Sequence, residues 1–199
     1  MKKVIVSQRI DYLSERNEFR DSLDQCLINL ISACGLIAVP VPNTLIYSDS
    51  LNLWLKEVQP DAIILSGGND IGEYLYRDKT EFFLLNFALS KNLPVLGICR
   101  GMQLIGLWSG MKLKKVSNHV KIQHKITGKI NRIVNSYHNY SLDNITEDYE
   151  IIAKSEDNEI EAFKHTILNW EGWMWHPERD FPFVSEDVLR IRRLFKCEL

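Results

Sequence analysis

The sequence predicts an α/β fold with a parallel sheet covered on both faces, passing into an antiparallel β region in its second half. Three observations carry this. Short apolar runs at 3–7, 36–41, 61–65 and 95–98 alternate with helix-patterned segments over the first hundred residues, which implies βαβ units. These runs are apolar almost throughout, as strands buried on both faces must be. After Gly110 the texture changes, and 112–116, 120–126, 129–134, 151–155, 160–165 and 170–175 read as short strands.

Taken in order, residues 17–34 place Phe19, Leu23, Cys26, Leu27, Leu30, Ile31 and Cys34 at helical spacing, and Gly35 closes that helix as its C′ residue. Pro40 and Pro42 end the second strand. A short helix is expected over 50–58, stopped by Pro60, and another over 80–90. The third strand runs into Ser66-Gly67-Gly68-Asn69-Asp70, a loop composition that serves unusual backbone angles. Glu156-Asp157-Asn158 suits a hairpin turn. A closing helix starts near Ser185 as N-cap, with Val188, Leu189, Leu194 and Phe195 on one face. With no repeat, linker or low-complexity tract in 199 residues, a single domain over 1–199 is expected.

Composition narrows the function classes. Hydrophobic residues at 45% and charged residues at 25% are ordinary for a globular chain, and a formal net charge of -2 gives no reason to expect a nucleic-acid or membrane partner. No apolar run approaches the ~18 residues of a membrane span, and Val4-Ile5-Val6 is too short for a signal peptide. The cysteines at 26, 34, 99 and 197 lack metal-like or disulfide-like spacing. Reduced thiols in the cytoplasm are the expectation, with Cys26 and Cys34 in the core and Cys197 incidental.

The chemistry centres on Val95-Leu96-Gly97-Ile98-Cys99-Arg100-Gly101-Met102-Gln103. Alone, Cys99 would read as a core cysteine at a strand end. Held between two glycines where a strand gives way to a helix, it has the form of a nucleophile elbow. A helix N-terminus favours the thiolate, and the Arg100 N–H points to where an oxyanion would form. A cysteine nucleophile needs a base and a group to orient it, and His176-Pro177-Glu178 supplies both. On an extended segment His176 and Glu178 face the same side, while Pro177 marks the strand end. Asn135-Ser136-Tyr137-His138-Asn139 forms a polar cluster suited to a zwitterion. His119 and His124 lie in a lysine-rich stretch and are expected in solvent, His165 at a strand edge, and Trp170, Trp173 and Trp175 in the core. Tyr74, Tyr76 and Tyr140 suit either a nucleotide pocket or loop packing.

Gly-Ile-Cys-Arg-Gly-Met-Gln, the upstream Gly-Gly loop, Asn-Ser-Tyr-His and Trp-His-Pro-Glu occur in that order across the chain. Together they resemble the class I glutamine amidotransferase superfamily, and within it the γ-glutamyl hydrolase branch. The resemblance implies a flavodoxin-like central sheet with an antiparallel extension. It implies Cys99 as nucleophile, His176 as base and acid, Glu178 as orienting carboxylate, and an oxyanion hole from the N–H groups of Gly68 and Arg100. It sets the glutamyl head group against Gln103 and the segment Asn135, Ser136, Tyr137 and His138. It implies a small-molecule γ-glutamyl substrate and neither a metal nor an organic cofactor. Two departures bear on the leaving group: Asn139 stands where the branch has a second histidine, and Ile71-Gly72-Glu73 stands where it often has a proline.

Three rivals share some of these features. A glutaminase subunit would carry the same chemistry and deliver ammonia to a separate synthetase partner. A cysteine α/β-hydrolase would place its acid well before the histidine, whereas Glu178 follows His176. A non-enzymatic ligand-binding member would not need Cys99, His176 and Glu178 together. A homo-oligomer is compatible with the sequence, which does not fix the oligomeric state.

Overall fold

The computed structural model describes residues 1–48 and 50–197. The first half runs β1 (Lys3–Val6), β2 (Arg9–Leu13), β3 (Glu18–Ser22), α1 (Gln25–Ala33), β4 (Ile37–Pro40), α2 (Ser50–Val58), β5 (Ala62–Leu65), α3 (Leu75–Lys91), β6 (Val95–Ile98) and α4 (Arg100–Trp108). Pairing is parallel in the order β4-β1-β5-β6. Because side chains alternate across a strand, each apolar run feeds two cores. Val4, Val6, Ala62, Ile64, Leu96 and Ile98 pack with Leu27, Leu30 and Ile31 of α1 on one face. Ile5, Ile63, Leu65 and Val95 pack with Leu51 and Leu55 of α2, Leu84 and Leu85 of α3, and Met102 and Ile105 of α4 on the other.

The second half contributes β7 (Leu113–Lys115), β8 (Val120–Gly128), β9 (Arg132–Tyr137), β10 (Tyr140–Leu142), β11 (Tyr149–Ser155), β12 (Ile160–His165), β13 (Trp170–Trp173) and α5 (Ser185–Leu194). The nine-stranded sheet continues β6-β13-β12-β11-β8-β9. β13 joins β6 in parallel, with Trp173 opposite Ile98, and the strands beyond it are antiparallel. This return of the chain to the middle of the sheet sets the residues after Trp173 beside those after Ile98. Ile191, Leu194 and Phe195 seal the α1 face of the core. No helix among the described residues is long and apolar enough to cross a membrane.

Several expectations need correction. The helix drawn over 17–34 begins only at Gln25, because the Asp24 carboxylate caps it by accepting from the Cys26 N–H. Residues 9–22 instead form the β2–β3 hairpin, turned at Asn17 with φ 50° and with Phe19 against Tyr12 at 4.7 Å. Cys26 is therefore exposed, while Cys34 is buried as expected. α3 starts five residues earlier than its apolar pattern, since Arg77, Asp78 and Glu81 are charged yet buried. Ser185 lies inside α5, whose N-cap is Val184 without a side-chain bond. On that helix Leu189 is 42% exposed and Ile191 takes its place in the core. Strand β10, paired with β7, was not anticipated.

Candidate active site

The site lies at the carboxyl ends of the parallel strands, where open α/β sheets bind ligands. Cys99 takes φ 50° and ψ −105° between β6 and α4, a strained conformation of the kind found at functional turns. Both flanking glycines are sterically required. A Cβ on Gly97 would sit 2.5 Å from the Gly101 carbonyl carbon, and one on Gly101 would sit 2.1 Å from the Leu65 carbonyl oxygen. The Cys99 N–H donates to the Trp173 carbonyl at 2.7 Å, tying the turn to β13.

Three residues past β13, His176 is 3% exposed and its Nδ1 stands 2.6 Å from Glu178 Oε1. Pro177 begins a 3₁₀ turn that folds Glu178 back under the ring, so proximity comes from this turn as well as from the extended spacing expected. Burial pulls the imidazolium down, but the Cys99 sulfur and the Glu178 carboxylate outweigh it and lift His176 to about 9. With Nδ1 engaged by Glu178, Nε2 is the nitrogen left for exchange with sulfur. Gly67 makes room for the ring, since a Cβ there would lie 2.6 Å from His176 Cε1.

A cavity of about 310 Å³ opens above Cys99, lined by Gly68, Arg100, Gln103, Tyr137 and His138 together with Arg9, Asn69, Asp70, Glu73 and Asn139. Glu73 and Asn139, where the sequence departs from the branch, therefore both face it. Tyr74 and Tyr76 are outside the lining. They pack against Phe19 and Tyr47. Gln103 donates to the Tyr140 carbonyl at 3.0 Å. Tyr137 lies edge-on to His176 with ring centres 5.8 Å apart, and its own ring carries the Arg179 guanidinium at 4.2 Å.

Asn135 and Ser136 do not join the cavity lining. The Asn135 side chain clamps the main chain of His176, donating to its carbonyl at 2.8 Å and accepting from its N–H at 3.0 Å. Ser136 donates to the His119 carbonyl at 2.7 Å. These two polar side chains therefore hold the wall rather than present themselves to a ligand. His119 and His124 also depart from expectation: His119 is 2% exposed and His124 has only 11% of its side chain accessible.

Two arginines were missed because nothing local marks them. Arg77, fully buried on α3, donates to the carbonyls of Ser66 at 2.8 Å, Gly67 at 2.9 Å and Gly68. Burial pulls it down to about 10, and Glu81 at 3.1 Å keeps it paired. Glu81 and Asp78 also bind the Arg100 side chain. A trans peptide directs its N–H opposite to its carbonyl. With the Gly67 carbonyl held by Arg77, the Gly68 N–H faces away from the arginine. Arg9, on the unanticipated hairpin, packs over Gly68 and lines the cavity beside Cys99 as well as the smaller one beside His176.

Comparisons with known proteins agree with this architecture. A family model described as glutamine amidotransferase class-I matches residues 17–182. The γ-glutamyl-CDP-amidate hydrolase of Campylobacter jejuni is 38% identical over 135 residues, 65% of this chain and 68% of that protein. A glutamine-hydrolyzing GMP synthase subunit from Methanococcus vannielii is 34% identical over 154 residues, 71% and 78% of the two chains. Among solved structures, a glutamine amidotransferase from Thermotoga maritima superposes with a TM-score of 0.63 at 17% identity, covering 98% of this chain and 82% of the other, a likeness of fold alone. The chain belongs to the class I glutamine amidotransferase family.

Proposed function

We propose that the chain is a stand-alone hydrolase of γ-glutamyl amides, with Cys99 as nucleophile, His176 as base and acid, and Glu178 as the carboxylate that orients the imidazole. The observation that carries this is the placement of the Cys99 turn and the His176–Glu178 pair, whose Nδ1 and Oε1 lie 2.6 Å apart, on two cavities that share Arg9 and Gly68, one lined by Cys99 and Arg100 and the other by His176 and Glu178. The sulfur attacks the side-chain carbonyl carbon of the γ-glutamyl group. The resulting oxyanion accepts from the N–H groups of Gly68 and Arg100, the first turned away from Arg77 and the second at the start of α4. One such donor contributes on the order of 3 kcal/mol to the transition state. His176 Nε2 then gives its proton to the departing nitrogen, the C–N bond breaks, and a γ-glutamyl thioester remains. Water, deprotonated by the same nitrogen, cleaves the thioester to glutamate and restores the thiol. No step uses a metal or organic cofactor.

The α-amino and α-carboxylate groups of the substrate need both signs of charge. Arg9 supplies one, and Asp70 with Glu73 supplies the other, beside Gln103, Tyr137 and His138. For the leaving group we favour a nucleoside-diphosphate amidate such as CDP-amidate, on the similarity to the C. jejuni hydrolase. That reading places the chain in the making of a phosphoramidate capsule modification in the cytoplasm. The similarity to the M. vannielii GMP synthase subunit supports the second reading, a glutaminase that works with a separate synthetase.

Glutamate release from γ-glutamyl-CDP-amidate, glutamine, γ-glutamyl-γ-aminobutyrate and γ-glutamyl dipeptides separates the two, with Cys99→Ala as control. One conjugate turned over far faster than glutamine is the expected result. Activity on glutamine alone, or only after a synthetase is added, would replace the first reading with the second. Retained turnover in Cys99→Ala would overturn both.

A further inference from the structure

Behind the cavity wall, three histidines and a glutamate from distant parts of the sheet converge without completing one another's hydrogen bonds. His138 Nε2 stands 3.3 Å from Glu161 Oε1, His119 Nδ1 stands 3.8 Å from the same oxygen, and His124 Nε2 stands 3.4 Å from Oε2. All five atoms are buried and none has a hydrogen-bond partner. Two of the rings have their tautomer fixed from outside. His119 Nε2 meets the Asp157 carboxylate at 2.9 Å, and His138 Nδ1 meets the Tyr140 carbonyl at 3.0 Å. Each outer partner accepts a proton, which leaves the inner nitrogen with its lone pair aimed at the Glu161 carboxylate. Lone pairs facing a buried anion repel it unless a cation lies between them.

From this arrangement we infer that His119, His124, His138 and Glu161 form a binding site for a zinc-class dication. Zinc bonds of about 2.0–2.1 Å put tetrahedral donor atoms about 3.3 Å apart, close to the separations found. One donor atom from each of His119, His124 and Glu161 lies within 4.8 Å of the others, and His138 Nε2, 3.3 Å from Glu161 Oε1, adjoins these three and offers a fourth donor. Imidazole held by an outer carboxylate or carbonyl is the usual surrounding of such an ion. Charge closes as well: two positive charges meet Glu161 and Asp157, with three neutral imidazoles.

The backbone is shaped for this. His119 and His124 are five residues apart, which on a regular strand gives opposite faces. Between them the register passes from Val120 opposite Tyr137 to Ile122 opposite Ser136, so Lys121, with φ 59°, is an inserted bulge residue that brings both rings to one side. The β8–β11 pairing ends at Ile126, and the cluster fills the space past that end. Held by one ion, it would join β8, the end of β9 and β12, fixing the segment from Tyr137 to Asn139 that lines the cavity. The site shares His138 with the cavity wall and does not include Cys99, His176 or Glu178.

The test is metal content of the purified full chain, stripped with a chelator and reloaded with Zn2+. The expected result is about one zinc per chain, a rise in Tm on reloading, and full retention of the metal in Cys99→Ala. His124→Gln and Glu161→Gln should each lose at least nine-tenths of it. Because either variant can fail to fold, the wild-type chain is also titrated with Co2+. Visible bands of tetrahedral cobalt without a sulfur-to-metal charge-transfer band support the site. A thiolate band, metal lost in Cys99→Ala, or no stoichiometric zinc after reloading would overturn it.

Discussion

Arg77 has no contact with the proposed substrate, yet the structure makes it the support of the Gly67–Gly68 loop. Arg77→Met keeps the length of the side chain and removes its donors. The carbonyls of Ser66, Gly67 and Gly68 then lose a charged donor in a largely buried setting, while Glu81 keeps Arg100 as its charged partner. Breaking one side of a buried charge pair costs about 3–5 kcal/mol, which for a chain of this size is a fall in Tm of about 6–20 °C. The loop carbonyls become free to turn, so the Gly68 N–H no longer has a fixed direction. Loss of one oxyanion donor lowers kcat about 10²–10³-fold while KM changes little, because the ground-state carbonyl leans on that donor less than the oxyanion does. Differential scanning calorimetry and steady-state glutamate release read the two effects. Arg77→Lys, which retains a cation for Glu81 but cannot span three carbonyls, should recover stability more than kcat. If folded Arg77→Met kept kcat within threefold of wild type, the argument that this arginine aims the Gly68 amide would fail.

Further outcomes follow from the same geometry. Glu178→Gln removes the carboxylate at His176 Nδ1 and should lower kcat about 10²–10⁴-fold with KM nearly unchanged; parity with wild type would deny the glutamate an orienting role. His176 holds its proton more tightly in the folded chain, at about 9 against an ordinary 6.5. Its contribution to stability is therefore complete below pH 6.5 and is lost as pH rises through about 9. Wild-type Tm should fall over that window more than that of His176→Asn, and equal falls would contradict the assignment. Gly101→Ala drives a Cβ to 2.1 Å from a backbone oxygen, which no side-chain motion relieves. Soluble yield or Tm should drop sharply, by more than about 10 °C, and a shift within 2 °C, measured by thermal melt, would show that the turn tolerates a Cβ.

By itself the sequence determined the elements whose signals are local. The apolar runs at β1, β5 and β6 have only one way to hide both faces, and they appear as parallel strands between two helical layers. Cys99 between Gly97 and Gly101, and His176 two residues before Glu178, are legible because turn sterics and short spacing leave their mark within a few residues. Only the tertiary structure decided what depends on residues far apart in the chain. The pairing of β13 with β6 brings His176 to Cys99 across more than seventy residues. The hairpin of β2 and β3 was obscured because Phe19 and Leu23 fit a helical period as well as a strand, and with it went Arg9. Arg77 resembles any surface arginine until three loop carbonyls surround it. Asn135 and Ser136 read as ligand-facing because their polarity is visible in sequence, whereas the backbone atoms that satisfy them are not. His119 and His124 read as solvated because they lie in a lysine-rich stretch, and neither their burial nor the inserted residue at Lys121 that brings both rings to one side leaves a mark in the neighbouring residues. Local sterics are written in neighbouring residues; burial, charge pairing and register are settled only when distant segments meet.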